Sequence, residues 1–211
     1  MELYFAPLAC SLASRIAFYE AGAQARYCQA DLRAKKLAGG ADYRAINPMG
    51  QVPVLRTEDG QLLTENVAVL HYIADQYPQA HLLPAGGLER YRAQQWLSFV
   101  STELHKGLFT PLLDSKANDG AKAYARDKGP ALFGHLAAHL RGRDYLLDQY
   151  SVADIYLVTV LNWAAPTGFK LREWPVLNDY HQRLLKRPVI ARALAEEYAL
   201  YQQEQAARAA A

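Results

Sequence analysis

The chain has 211 residues, of which 51% are hydrophobic and 21% charged. Its 23 Lys and Arg residues against 21 Asp and Glu residues give a net charge of +2, which excludes a strongly basic nucleic-acid-binding protein and a charge-driven disordered chain. Two cysteines are too few for a secreted disulfide scaffold. The first residues lack the basic region of a signal peptide, and the longest apolar stretch, 155–166, is too short to span a bilayer. We therefore expect a cytoplasmic protein whose partners include neither a membrane nor a nucleic acid.

Over the first 80 residues, short apolar runs alternate with helical patterns. This alternation predicts a small α/β sheet layer. A basic loop with two glycines, closed by Asn47-Pro48, separates its two halves. The predicted elements are a strand at 2–5, a helix at 11–20, a strand at 25–32, a hairpin of 51–57 with 61–63, and a helix that Thr64 caps and that runs to Tyr77.

The rest of the chain is rich in Ala and Leu and predicts a helix bundle. Ser151 and Asp154 have the spacing of a capping box at the start of a buried helix. The tail from Gln202 carries little apolar surface and is expected to fray. We predict helices at 88–107, 120–141 and 152–165, and two shorter ones after Pro175 and Pro188. The predicted domains are 1–80 and 88–211, joined by a linker at 81–87.

Cys10 is the first candidate functional residue. It follows a strand and a loop and stands at the predicted start of a helix, where unpaired backbone N–H groups stabilise a thiolate. The alternative is an inert buried thiol, but the position favours function. Because no second cysteine follows in Cys10-Ser11-Leu12-Ala13, this thiol could form a mixed disulfide without resolving it internally. Cys28, in the middle of a strand, is interpreted as structural.

Two short motifs could bind a peptide-like ligand. If the Val52–Pro53 bond is cis, the backbone of residue 52 would turn toward a cleft and could pair with an extended ligand; an ordinary edge strand remains the alternative. Glu65 and Asn66, in the first turn of a helix, could hold the ammonium and carboxylate groups of an α-amino acid. An acidic first turn that only complements the helix dipole is common, and it is the default interpretation of that second pattern taken alone.

His105 lies on the long predicted helix, where Ser98 and Thr102 would share its polar face, with Glu103 nearby. Such a histidine has a function only if that face lines a cleft. His135 and His139 lack a third ligand at a suitable spacing, so no metal site is expected. The basic pair that begins at Lys35 is too short for nucleic acid and offers at most a single anion contact.

Together these motifs resemble the bacterial beta class of the glutathione S-transferases, and the resemblance covers nearly the whole chain. The segments that carry it are 3–5 with 10–14, 42–53, 63–68, 96–97, 102–107 and 151–154.

The resemblance implies a thioredoxin-like N-terminal domain and an all-helical C-terminal domain, assembled as a homodimer, with glutathione as co-substrate in the cleft between the domains. Cys10 would approach the glutathione sulfur with help from His105. The pocket for an apolar electrophile would include Pro7, Leu8, Phe109, Trp163 and Phe169. The residues implied to contact glutathione are Cys10, Lys35, Val52, Pro53, Glu65, Asn66, Ser98, Thr102, Glu103 and His105.

The resemblance implies an enzyme that conjugates or exchanges the glutathione thiol with small hydrophobic electrophiles in detoxification. Two alternatives stay open. One is a glutathione-dependent thiol-disulfide reductase or reductive dehalogenase. The other is a non-catalytic protein that binds ligands or a partner, against which the retention of Cys10, Val52-Pro53, Glu65 and His105 argues.

Overall fold

The computed structural model describes residues 1–210, which fall into two compact units. The first unit combines Met1–Leu82 with the C-terminal segment that begins at Arg187, and the second comprises Leu83–Lys186. The sequence-based division differs at the C-terminal end, because it assigned everything from residue 88 onward to the helical domain. No helix within residues 1–210 is long and apolar enough to cross a membrane.

Five strands form one mixed sheet in the first unit. They are β1 (Glu2–Phe5), β2 (Arg26–Asp31), β3 (Lys36–Leu37), β4 (Val54–Arg56) and β5 (Leu62–Thr64). In the order β3-β2-β1-β4-β5, β1 and β2 are parallel and the other neighbours are antiparallel. In the central strand β1, residues 3–5 are apolar and all buried, as expected for a strand covered on both faces.

The helices follow the predicted order; α1 has the predicted ends, and the other helices differ from the prediction at one end or both. They are α1 (Ser11–Glu20), α2 (Asn66–Gln76), α3 (Gly87–Phe99), a π-helix (Val100–Phe109), α4 (Thr110–Leu113), α5 (Asp119–His139), α6 (Val152–Leu161), α7 (Pro175–Leu185) and α8 (Pro188–Ala209). In the first unit α1 packs against both α2 and α8, which explains why its residues 11–18 are all buried.

The start of α2 differs from the prediction that Thr64 caps it. Thr64 ends strand β5 and pairs with Val54 of β4, so it is not available as the cap. Glu65 takes the capping position instead, and Asn66 is the first helical residue. Glu65 and Asn66 therefore each lie one residue earlier, relative to the start of α2, than the sequence predicted.

The C-terminal tail is longer and better anchored than predicted. The expectation of fraying from Gln202 is wrong for the described residues, because α8 continues to Ala209. The Gln29 amide donates to Glu204 Oε1 at 2.8 Å, and the Arg208 guanidinium donates to Asp31 Oδ1 at 3.4 Å. Polar contacts with β2, rather than apolar burial, attach the end of this helix.

In the second unit, the predicted capping box begins the buried helix α6. The Ser151 hydroxyl accepts from the Ala153 N–H at 3.2 Å, and Asp154 Oδ2 accepts from the Ser151 N–H at 2.9 Å. Asp154 Oδ1 also accepts from the Leu146 N–H and the Tyr180 hydroxyl, both at 2.8 Å. These contacts join the start of α6 to the preceding loop and to α7, which is a structural role.

Candidate functional site

Cys10 caps the N-terminus of α1, as predicted, and both cysteines are thiols. Its side chain is 7% exposed and donates from Sγ to the Val52 carbonyl oxygen at 3.2 Å. The hydroxyl of the next residue, Ser11, accepts from the Ala6 N–H at 3.2 Å and donates to the Ala6 carbonyl at 3.3 Å. The two Ser11–Ala6 hydrogen bonds hold together the ends of the loop that leads from β1 to α1. The Cys10 thiol lies beside the backbone of Val52.

The Val52–Pro53 peptide bond is cis. Both residues are buried, and they precede β4 rather than lying within a strand. The carbonyl just before them, on Gln51, accepts from the Tyr43 hydroxyl and from the Asn47 amide, each at 2.8 Å. Two side chains therefore position the segment that contacts Cys10.

Glu65 has φ 67° and ψ 120°, a backbone conformation that a residue other than glycine rarely adopts. It costs about 1–3 kcal/mol and persists only where surrounding structure enforces it. Its side chain is exposed, whereas Asn66 is buried and accepts from the Ser14 hydroxyl at 2.9 Å through Oδ1. Ser14 belongs to α1, so this contact ties the start of α2 to the helix that Cys10 caps.

Lys35 is partly buried and its ammonium donates to the Gly50 carbonyl at 2.8 Å. Gly50 has φ +60°, and a Cβ there would lie 2.8 Å from Lys35 Cδ, so the glycine allows the lysine to cross this turn. Lys35 therefore lies beside the segment that leads to Val52. Its ammonium group is the cation that the sequence predicted for a single anion contact.

The candidate residues of the second unit lie at the junction of α3 and the π-helix. The exposed Thr102 hydroxyl donates to the Ser98 carbonyl at 3.0 Å, and Glu103 forms an ion pair with Lys128 at 3.2 Å. The Thr110 N–H donates to the His105 carbonyl five residues earlier, which is the π-helical pattern. A π-helix has more residues per turn than an α-helix. His105 therefore does not share a face with Ser98 and Thr102 as α-helical spacing predicted.

His105 is turned toward α6, where its Nδ1 lies 2.7 Å from the buried Tyr156 hydroxyl. Its ring makes an edge contact with Trp163, with centroids 5.1 Å apart. Burial, with a smaller contribution from the neighbouring Lys106 charge, lowers the pKa of His105 to about 4. At neutral pH the ring is therefore uncharged, so it can accept or donate a hydrogen bond but supplies no positive charge.

An NMR titration is expected to give His105 a pKa near 4, well below the ordinary value of 6.5. Since the unfolded chain then binds more protons than the folded one between these values, the free energy of unfolding should fall as the pH drops from 6.5 to 4. Buried His181, with a pKa also lowered to about 4, acts in the same direction. A His105 resonance that titrates near pH 6.5 would contradict the burial-based explanation.

The aromatic residues expected in the electrophile pocket differ in exposure. Phe109 is fully buried and packs edge-on against Trp163, with centroids 5.9 Å apart, so it belongs to the core of the helical unit. Trp163 and Phe169 are partly exposed. In the first unit Pro7 is buried and Leu8 partly exposed.

Several residues that position the candidate side chains have no sequence signal of their own. Tyr43 and Asn47 stand only within the motif 42–53, and Tyr156 only within an apolar stretch. The fourth residue, Glu197 of α8, accepts from the Leu8 N–H at 2.7 Å, two residues before Cys10. A glutamate within the apolar spacing of α8 was a signal that its side chain is buried and paired.

Two family models match the chain. "Glutathione S-transferase, N-terminal domain" matches residues 9–76, and "Glutathione S-transferase, C-terminal domain" matches residues 99–188. Glutathione S-transferase GstA of Escherichia coli O157:H7 is 39% identical over 199 residues, which cover 93% of this chain and 98% of the relative.

Solved structures give the same result. A sphingomonad glutathione S-transferase complexed with glutathione has a TM-score of 0.89 at 42% identity, over 93% of this chain and 98% of that one. A beta-class glutathione S-transferase from Sphingomonas chungbukensis has a TM-score of 0.89 at 41% identity, with the same coverage.

The chain therefore belongs to the glutathione S-transferase family. The predicted thioredoxin-like fold followed by a helical region is confirmed, and so is the prediction of a glutathione transferase enzyme. Glutathione is the co-substrate that this membership implies.

Proposed function

We propose that this enzyme joins or exchanges the glutathione thiol with small hydrophobic electrophiles, and that Cys10 acts beside the glutathione sulfur. The observation that carries the proposal is the 3.2 Å contact between Cys10 Sγ and the Val52 carbonyl next to the cis-proline. The backbone of Val52 is the proposed partner of the cysteinyl unit of glutathione. A ligand paired there would bring its sulfur to the thiol at the N-terminus of α1, where a thiolate is stabilised.

The remaining proposed contacts are assigned to separate parts of the glutathione molecule. Glu65 and Asn66 are proposed to hold the amino and carboxylate groups of the γ-glutamyl unit, and Lys35 the glycine carboxylate. The strained backbone of Glu65 supports this, because such conformations concentrate at ligand sites. From the helical unit, the proposed contacts are Ser98, Thr102, Glu103 and His105.

A single reactive thiol favours thiol exchange alongside conjugation. The Cys10 thiolate would attack the glutathione sulfur of a mixed disulfide, forming a Cys10–glutathione disulfide and releasing the other thiol, which takes up a proton. A second glutathione thiolate would then attack this disulfide, giving glutathione disulfide and restoring the Cys10 thiolate. Comparing this reduction with the conjugation of an aryl halide separates the reductase function from the transferase function.

Glutathione binding tests the assignment directly. Lys35→Ala and Glu65→Gln should each raise the Kd for glutathione by about tenfold to a hundredfold, because each removes a charge-assisted hydrogen bond worth about 1.5–3 kcal/mol. Titration calorimetry would measure the change. The matched control is Lys36→Ala, which removes the adjacent exposed cation and should leave Kd unchanged. Equal affinities in all three variants would remove these contacts from the proposal.

We also propose that the enzyme is a cytoplasmic homodimer with a detoxifying role. Exposed apolar side chains support self-association: Leu88 and Tyr91 on α3 are 64% and 69% exposed. Light scattering at micromolar concentration would distinguish a dimer of twice 23.5 kDa from a monomer.

A further inference from the structure

Hydrogen bonds within the helical unit hold both the backbone and the ring of His105. The His105 carbonyl accepts from the Thr110 N–H in the π-helical pattern and from the Thr110 hydroxyl at 2.9 Å. The ring Nδ1 lies 2.7 Å from the hydroxyl of Tyr156, which is 1% exposed. Tyr156 belongs to α6, whose start is fixed by the capping box. The orientation of the ring therefore depends on Tyr156, a residue that has no part yet in the proposed reaction.

The length of the bond between Tyr156 and His105 indicates which group donates the hydrogen. A separation of 2.7 Å is typical of an O–H donor, whereas N–H donors are usually found at about 2.9–3.0 Å. The acidities agree, because a phenol O–H is a stronger acid than the N–H of a neutral imidazole. An imidazole nitrogen is also a stronger base than a phenol oxygen. The Tyr156 hydroxyl therefore donates, and Nδ1 accepts.

This direction determines what the other nitrogen of the ring can do. Burial, together with the adjacent Lys106 charge, keeps the ring neutral at pH 7 by lowering its pKa to about 4. A neutral imidazole carries one N–H, and since Nδ1 accepts, that N–H is on Nε2. Nε2 makes no hydrogen bond within residues 1–210 and is not one of their buried polar atoms without a partner. It is therefore a donor that solvent or a ligand can reach.

We propose that Tyr156 is a positioning residue, which holds His105 in the Nε2–H tautomer and thereby makes it a hydrogen-bond donor to the glutathione sulfur. The inference rests on the contact between His105 and glutathione proposed above, and it adds the direction of that contact. An N–H donated to the sulfur stabilises the thiolate of bound glutathione. The thiol proton passes to solvent water rather than to His105, because Nδ1 is occupied and Nε2 already carries a proton.

The tautomer is measured by NMR on isotopically labelled enzyme at neutral pH, without glutathione. Proton–nitrogen correlations across the ring should show a protonated Nε2 and an unprotonated Nδ1. The spectrum of His105→Ala assigns these resonances by their absence. This measurement uses the unaltered enzyme and does not depend on any contact with glutathione.

The donor role is measured by the pH profile of kcat/KM for an aryl halide at saturating glutathione. Its midpoint reports the pKa of the bound glutathione thiol. His105→Ala removes the donor and should raise the midpoint by about one pH unit. Tyr156→Phe keeps the ring but not the hydrogen bond that fixes its tautomer, and should raise the midpoint by about half a unit.

Two further variants separate positioning from a general loss of structure. If Tyr156 acts only through His105, the double variant His105→Ala, Tyr156→Phe should have the same midpoint as His105→Ala alone. The matched control is Tyr180→Phe, which removes another buried tyrosine hydroxyl, one that donates to Asp154 Oδ1 of α6 at 2.8 Å. It should lower the thermal stability, as Tyr156→Phe does, but leave the midpoint unchanged.

Three results would overturn the inference. They are an Nδ1–H tautomer in the unaltered enzyme, additive shifts of the midpoint in the double variant, and equal shifts in Tyr156→Phe and Tyr180→Phe. An Nε2–H tautomer with an unshifted midpoint in His105→Ala would overturn the donor role together with the proposed contact between His105 and glutathione. Failure of the Cys10 function is seen separately, since it is measured by disulfide reduction and would leave the tautomer unchanged.

Discussion

The Cys10→Ala variant is expected to reduce a mixed disulfide of glutathione about 100-fold or more slowly than the unaltered enzyme, a loss of the size seen when a reacting group is removed. In the proposed sequence, Cys10 forms the covalent intermediate, and Cys28 cannot replace it. Cys28 is in the middle of β2, and burial raises the pKa of its thiol, which disfavours the reactive thiolate. The initial rate of glutathione-dependent disulfide reduction is the measurement.

The matched control is Cys28→Ala, which removes the other thiol and should retain the full rate of disulfide reduction. Conjugation of an aryl halide should depend less on Cys10, because there the glutathione sulfur itself attacks the electrophile. If Cys10→Ala left disulfide exchange unchanged, Cys10 would be a structural thiol and the exchange function would be lost from the proposal.

Replacing Glu197 by leucine should lower the free energy of unfolding by about 3–5 kcal/mol, the cost of removing one partner of a buried ion pair. Glu197 is fully buried, and its Oε1 lies 3.0 Å from Nε of Arg15, which is 4% exposed. The Arg15 guanidinium lies over the rings of Phe5 and Tyr27, 4.3 and 4.2 Å from their centroids. Without Glu197, this enclosed charge loses its buried counter-ion.

Urea unfolding of three variants would measure this effect. Glu196→Gln removes the neighbouring carboxylate, which is 37% exposed and 3.3 Å from Arg15, and should cost less than about 1 kcal/mol. The double variant Arg15→Met, Glu197→Leu should recover much of the lost stability, because two apolar side chains replace the whole pair. If Glu197→Leu were no worse than Glu196→Gln, the buried pair would contribute little.

Elements whose signals are local were predictable from the sequence. The strand at 2–5, the helix at 11–20 and the capping box at Ser151 all matched the structure, because apolar spacing and short-range hydrogen bonds determine them. The cis bond before Pro53 was stated as a condition and is present. The position of Cys10 at a helix start followed from the same local patterns.

Features that depend on distant residues were not predictable. The composition of the π-helix from Val100 to Phe109 does not distinguish it from an α-helix, and the segment packs against α3, α5 and α6, which are distant or separate elements of the chain. A Cβ at Gly107 would lie 2.9 Å from the Thr102 carbonyl, so this glycine was a signal too subtle to read alone. The Leu8–Glu197 hydrogen bond joins residues 189 positions apart, beyond any pattern of spacing.

The attachment of α8 to the first unit has a consequence for how the chain is made. Ribosomes release a protein from its N-terminus, so residues 1–82 emerge long before the helix that supplies Glu197. Until then the Arg15 guanidinium has no buried counter-ion and the Leu8 N–H no carboxylate acceptor. The nascent N-terminal part therefore remains incomplete while the central helices are synthesised, and it can reach its final structure only after α8 has been made.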